Sequence, residues 1–559
     1  MGILDDLLAK GYLPVQLPPG FSSSTFASER SKFASKWSRG GKLPAPSAGK
    51  YSVARSSFYR RTTAIVNPLG FYFLAKEIAT YWPKIARHYR KTNLSRSVPS
   101  FGDESLRAIQ LKKFSELYEE KITSAAGFRY ALITDITSFF PTIYTHAIPW
   151  ALHTRDVAKV NHGKTPKFFG NILDDKCMGV QDRQTIGLPI GPDTSHIIAE
   201  IIAVAIDEQL AKELGGLPAG FRYVDDFFLF FNKHEEAERA LAVLTRVVGR
   251  FELQLNAAKT RIIEVKALVE ESWKYSMKRL VISPDRKQQR NDIHHYFEFM
   301  FSLERRAKDE SLVKYGLRRI SSKIVKLSNW AVFEAYLLKC GFSFPNTIQV
   351  IAHIFATYYH HKYPLNIEAI ARFCNSLIPS AAASDHHGEV SWLLWICKEL
   401  HIGIDDAGVS AVQRMGNPVC TLILLDMKYA GIIKVALDAS LLSQYAIPEA
   451  LMSPDWILAY EAGRREWLGN ANDRFITGHK YFGPLNDANV IFYDEHKMLP
   501  PIFEFKETEA KIEPFDFDSD GSIENNFNFD DLDEEYFDSA DSGNEDDDES
   551  DDEESESDF

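Results

Sequence analysis

The sequence predicts an α+β fold in its first half, an all-α region after it and an acidic, unfolded tail. Three observations predict this. Short apolar runs of strand length, at 130–134 and 221–230, alternate with helical stretches such as 196–210. From about 290 to 500, apolar runs such as 297–303 and 392–397 sit among Lys, Arg and Glu in helix-length segments. From Ile512 to Phe559 the chain holds 23 acids and no Lys or Arg. At 559 residues it is long enough for two or more domains with ample core. The expected divisions are an N-terminal extension over 1–50, the mixed region over 51–285, the helical region over 286–511 and the tail over 512–559.

The elements follow in chain order. Arg55, Arg60 and Arg61 precede Asn67-Pro68, a basic segment suited to a phosphate backbone or, equally, a solvated face. Residues 130–141 begin as a buried strand and end at Pro141, with Asp135 inside the apolar run. An unpaired charge is costly there, and a bound cation would offset that cost; a turn cap or an Arg partner is the alternative. Residues 187–195 are dense in Gly and Pro, which makes an exposed loop whose backbone can approach a ligand closely. Thr194 or Ser195 then caps the following helix. Residues 221–230 place Asp225 and Asp226 between two apolar runs, the pattern of a tight β-hairpin with acids at its turn. Two acids at a hairpin tip and a third from a separate strand can hold two Mg²⁺ ions. Such a site activates an attacking oxygen and stabilises a leaving one in phosphoryl or nucleotidyl transfer.

Tyr223-Val224-Asp225-Asp226 resembles the catalytic motif of reverse transcriptases, and three further segments resemble their neighbours in the right order. Residues 130–141 resemble motif A, in which an aromatic follows the Asp by five residues. Here it is Phe140, and the resemblance implies a gate that excludes a ribose 2′-OH. Gly187, Pro189, Ile190 and Gly191 resemble motif B, which contacts template and incoming nucleotide; Ile190 stands where most relatives carry Gln. Residues 251–260 resemble motif D, whose Lys259 is placed to protonate departing pyrophosphate or neutralise its charge. The resemblance implies a right-hand-like fingers and palm over 51–285. It implies two metal ions, Mg²⁺ with Mn²⁺ as an alternative, on Asp135, Ile136, Asp225 and Asp226. It also implies catalysis by Asp135, Asp225, Asp226 and Lys259. Nucleotide contacts would come from Phe140, Gly187, Pro189, Ile190, Gly191, Tyr223, Arg60 and Arg61.

Four features narrow the resemblance to the bacterial defence branch, the abortive-infection and "unknown group" reverse transcriptases. They are the opening at 10–21, the motif B wording, the lack of a recognisable nuclease, integrase or maturase module, and the long helical C-terminal region. In that branch the helical domain is HEAT-like. The implied setting is the bacterial cytoplasm, with dNTPs as substrate, a single-stranded nucleic acid product and a homo-oligomer. Three readings stay open: polymerisation primed on a protein hydroxyl without a conventional template, cDNA synthesis on a dedicated noncoding RNA, and an abortive-infection scaffold in which polymerisation is secondary.

Charge and cysteine use fit an intracellular polyanion-binding enzyme. The net charge is −13, yet the tail takes 23 of the 77 acids and none of the 64 bases, which leaves residues 1–511 with a surplus of ten positive charges. The tail is too acidic to fold alone. It serves as a solubiliser or, given Phe515, Phe517, Phe527, Phe529, Tyr536 and Phe537, as a mimic of nucleic acid in the basic groove. The five cysteines are scattered without a C-x-x-C pair, which argues against a zinc ribbon or disulfide framework. No signal peptide or membrane-spanning run is evident. The His pairs 294–295, 360–361 and 386–387 are assigned to structure, because adjacent helical residues point in different directions.

Overall fold

The apolar runs at 130–134 and 221–231 pair into one antiparallel sheet. The coordinates, a computed structural model, describe residues 2–37, 43–102, 106–112, 114–268, 272–469, 473–505 and 523–525. Four strands lie in the order Ala219–Tyr223, Asp226–Phe231, Tyr130–Thr134, Arg261–Glu264. Leu132 stands opposite Leu229 on one side and Ile262 on the other. Helix His234–Gly249 packs across this sheet and carries an apolar stripe of Ala237, Ala240, Leu244, Val247 and Val248 at helical spacing. Helix Asp193–Leu214 is apolar on nearly all sides and correspondingly buried from Asp193 to Asp207. It begins at Asp193, ahead of the expected start. Thr194 and Ser195 therefore lie inside it, and Pro192 stands at the N-cap.

Upstream, strands Gly49–Ala54 and Arg60–Ile65 form a separate antiparallel hairpin. It leans on the C-terminal helices: Tyr51 Oη lies 2.6 Å from Ser391 Oγ, and Ser52 N–H donates to His387 Nδ1 at 3.1 Å. Asn67 donates from Nδ2 to the Leu451 carbonyl at 2.9 Å and caps helix Pro68–Tyr89 with its Oδ1.

From Arg286 to Arg464 the chain is a two-layer stack of helices. One layer runs Arg286–Ala307, Trp330–Ser343, Ile367–Ala383, Asp406–Met415. The other runs Ser311–Ser321, Ile348–His360, His387–Glu399, Pro418–Tyr429, Trp456–Arg464. Each helix packs on the next in its own layer, the geometry of a helical repeat array. Trp330, Trp395 and Trp456 are fully buried within it. The N-terminal segment is tied to the stack and to the chain beyond it: Trp392 donates to the Gln16 carbonyl at 2.9 Å, and Trp37 donates to the Tyr481 carbonyl at 2.8 Å.

The expectation of an unfolded tail is modified at one place. Ile523–Asn525 pairs antiparallel with Phe503–Phe505. The reason lies in composition, since residues 521–529 carry one acid, Glu524, among Ile523, Phe527 and Phe529. The rest of the tail lies outside the described residues. The five cysteines are free and buried. Among the described residues no helix is long and apolar enough to cross a membrane.

Candidate active site

The hairpin turn is two residues long. Tyr223 pairs with Asp226, so Val224 and Asp225 form the tip. Val224 has φ 53°, a left-handed conformation that costs a β-branched residue roughly 1–3 kcal/mol. Asp226 opens the return strand. Asp135 follows the adjacent strand by one residue, just past the Thr134–Phe227 pair. All three carboxylates therefore meet at one end of the sheet. Asp135 and Asp225 are buried, and Asp226 is half-buried.

Lys259 closes the set. Its Nζ donates to Asp135 Oδ2 at 3.0 Å. The loop that carries it is fixed by Asn256 N–H donating to the Asp135 carbonyl at 2.9 Å. A 2.6 Å hydroxyl contact between Thr134 and Thr260 fixes its other end. Asp135 Oδ1 is buried with no hydrogen-bond partner among the described residues. Burial raises the Asp135 carboxyl above its ordinary value, opposed by the Lys259 ammonium and the Asn256 side chain. Asp226 is pushed well up, first by burial and then by repulsion from Asp225 and Asp135, against the pull of Lys259 and Lys121. An orphaned carboxylate oxygen in a set of mutually repelling acids suits a hard divalent cation, Mg²⁺ or Mn²⁺.

The loop Gly187–Gly191 lies against the motif A turn. Leu188 N–H donates to the Phe140 carbonyl and Gly187 N–H to the Ile143 carbonyl, each at 2.8 Å. Phe140 is 2% exposed and its ring meets His196 edge-on at 5.0 Å. The Pro189 carbonyl accepts from Ser195 Oγ at 2.6 Å, and the Ile190 carbonyl accepts from Ala64 N–H at 2.8 Å. Gly191 has φ 123°, and a Cβ there would meet Pro14 at 2.9 Å, so glycine is required. Burial lowers His196 to about 3, assisted by the positive charges of Arg107 and Arg61. Arg61 thus lies close enough to this corner to act on it, and it is itself buried.

Placement bears on three sequence expectations. Arg60 does not face the acids: its Nη1 and Nη2 donate to Glu389 at 2.6 and 2.7 Å, and Nε donates to Ser52 Oγ. Its charge ties the hairpin to the helical stack instead of waiting for a triphosphate, because a bidentate carboxylate partner outcompetes solvent. Tyr223 is fully buried, with its hydroxyl donating to the Lys112 carbonyl at 3.0 Å. Ile136 is buried in an antiparallel bridge with Leu255, and its apolar side chain offers no ligand atom. Only its main-chain carbonyl has ligand chemistry.

Sequence reasoning missed Ser97, Glu200, Asp207 and Arg222, which support the acid-bearing turn. Arg222 is fully buried between Glu200 and Asp207, both within 3.1 Å. The one signal was spacing: Glu200 and Asp207 fall seven apart, on one face of an otherwise apolar helix.

Elsewhere, ligand atoms of His360, His361 and Glu504 fall within 4.8 Å of one another. His361 Nε2 lies 3.0 Å from the Phe503 carbonyl, so that nitrogen is the protonated donor and its lone pair is not on offer.

Residues 82–287 match the family described as reverse transcriptase (RNA-dependent DNA polymerase). They are a reverse transcriptase domain, and the chain is an enzyme, an RNA-directed DNA polymerase of the nucleotidyltransferase class. No curated protein matches. Among solved structures, the telomerase from Candida albicans in complex with a TWJ fragment of telomeric RNA is similar at 12% identity. The match covers 68% of this chain and 67% of that one, with a TM-score of 0.25.

Proposed function

We propose that this chain polymerises dNTPs by a two-metal mechanism as a defence-type reverse transcriptase, primed on a protein hydroxyl and without need of a conventional template. The observation that carries the polymerase reading is the meeting of Asp135, Asp225 and Asp226 at one sheet end, with Lys259 3.0 Å from Asp135. When bound there, two divalent cations would activate the attacking hydroxyl and neutralise charge on the leaving pyrophosphate. Asp135, Asp225 and Asp226 would hold them, with Asp135 Oδ1 as one ligand. With the metal bound, the Lys259 ammonium, 3.0 Å from Asp135, would be available to the departing pyrophosphate. Phe140 sits beside the Gly187–Gly191 loop, where its ring would crowd a ribose 2′-OH. The long helical stack and the Ile190 wording of the loop support the defence branch.

The test is incubation of purified protein with Mg²⁺ and labelled dNTPs alone, followed by protease or ribonuclease treatment. Label that shifts on protease treatment supports protein priming. Activity that returns only with added cellular RNA favours a noncoding RNA template instead. No incorporation under either condition favours the scaffold.

A further inference from the structure

The backbone of Val224 is gripped from both sides. Its N–H donates to Ser97 Oγ at 2.8 Å, and its carbonyl accepts from Arg222 Nη1 at 2.6 Å. Ser97 Oγ in turn donates to Glu200 Oε2 at 3.2 Å, and Glu200 accepts from Arg222 Nη1 and Nη2 at 3.1 and 2.9 Å. Arg222 completes its set on Asp207, from Nε at 3.0 Å and Nη2 at 2.9 Å. Ser97 is 2% exposed, Glu200 4%, and Arg222 and Asp207 fully buried. The segment bearing Ser97 is itself fastened: Arg222 N–H donates to the Leu94 carbonyl at 2.8 Å, and Arg96 N–H to the Arg222 carbonyl at 2.7 Å.

Val224 needs such a grip. A β-branched residue at φ 53° relaxes to an ordinary conformation unless its surroundings hold it. Relaxation would swing Asp225, the next residue, away from Asp135 and Asp226. Glu200 and Asp207 project from the helix that starts directly after the Gly187–Gly191 loop, so the same network joins that loop's helix to the acid-bearing turn.

We propose that Ser97, with Arg222 and Glu200, is a positioning clamp that holds Val224 in its left-handed turn and thereby sets the Asp225 carboxylate for metal binding. The clamp rests on the reading of Asp225 as a metal ligand. Ser97 is the place to test it, because losing one oxygen leaves the buried Arg222 ion pairs intact.

The experiment measures dNTP incorporation against Mg²⁺ concentration for wild type, Ser97→Ala, Ser97→Cys and Ser97→Thr, with a thermal melt of each. The Ala variant should need about tenfold more Mg²⁺ for half-maximal rate, since the buried Val224 N–H loses its acceptor. At saturating Mg²⁺ its dNTP KM should stay within about twofold of wild type, because the clamp touches no nucleotide contact. Thr keeps the oxygen and should restore the wild-type curve, whereas Cys, a weaker acceptor, should fall between. An Ala variant that melts and titrates like wild type overturns the clamp, as does a Thr variant that fails to rescue. If Ala does not fold, Cys decides: a Cys variant matching wild type overturns it. A wild type without Mg²⁺-dependent incorporation sinks the metal-ligand reading and the clamp with it, while an active wild type with an unmoved Ala variant sinks the clamp alone.

Discussion

Replacing Lys259 by Met tests the electrostatics of the acid cluster without touching an acid. Met keeps most of the apolar stem and removes the ammonium that sits 3.0 Å from Asp135 Oδ2. Asp135 is 1% exposed, so its carboxylate is left buried without its counter-charge, a loss of about 3–5 kcal/mol. The carboxyl has one escape, which is to hold its proton. The cost of doing so at pH 7, from an unfolded value near 3.9, is about 4 kcal/mol and sets a ceiling. At pH 5 the same ceiling is about 1.5 kcal/mol. The sign follows from where the proton sits. Burial already raises Asp135 in the wild type, and losing Lys259 raises it further. Between the unfolded and folded values only the folded state carries the proton, so stability falls as pH rises through that window. Urea denaturation of wild type and Lys259→Met at pH 5 and pH 7 should show a gap that is wider at pH 7. A gap independent of pH would refute the claim that Lys259 neutralises a buried Asp135.

Three other outcomes follow from named contacts. Arg60→Ala should lower the melting temperature, because it strands the nearly buried Glu389, at a cost of roughly 3–5 kcal/mol. Its dNTP KM should stay within about twofold of wild type, and a large rise would restore Arg60 to the nucleotide site. Phe140→Ala should admit ribonucleotides in a competition of labelled rNTP against dNTP, while costing about 3–5 kcal/mol as a core cavity; continued rejection of ribonucleotides would remove the gate assignment. Gly191→Ala, at φ 123° and against Pro14, should destabilise the loop by roughly 1–3 kcal/mol, read as increased proteolysis or hydrogen exchange at 187–192.

The acid cluster was legible because its signals are local. Strand length, a two-residue turn and a lone Asp in an apolar run each act over a few residues, and the sheet brings them together. Helices after residue 286 were legible from run length, but their two layers were not, since no strict period marks which helix packs on which. The partners of Arg60 and Tyr223 were not legible for one reason: Glu389 and Lys112 lie 329 and 111 residues away, and nothing near either residue announces them. Ser97 was invisible on the same ground, 127 residues from the turn it holds. The departure of 523–525 from an unfolded tail was written in the thinning of acids at 521–529, which a count over the whole tail averages away.

The most direct test of the central claim is Mg²⁺-dependent dNTP incorporation by Asp135→Asn, Asp225→Asn and Asp226→Asn, with metal-free melts alongside. The account predicts that Asp226→Asn melts at or above the wild type, since Asn relieves a repelled charge, that Asp135→Asn melts below it, since it strands the Lys259 ammonium 3.0 Å away, and that each of the three variants loses incorporation by about 10³-fold or more. A variant that keeps wild-type incorporation would contradict it, because the three acids would then not be the groups that hold the metal.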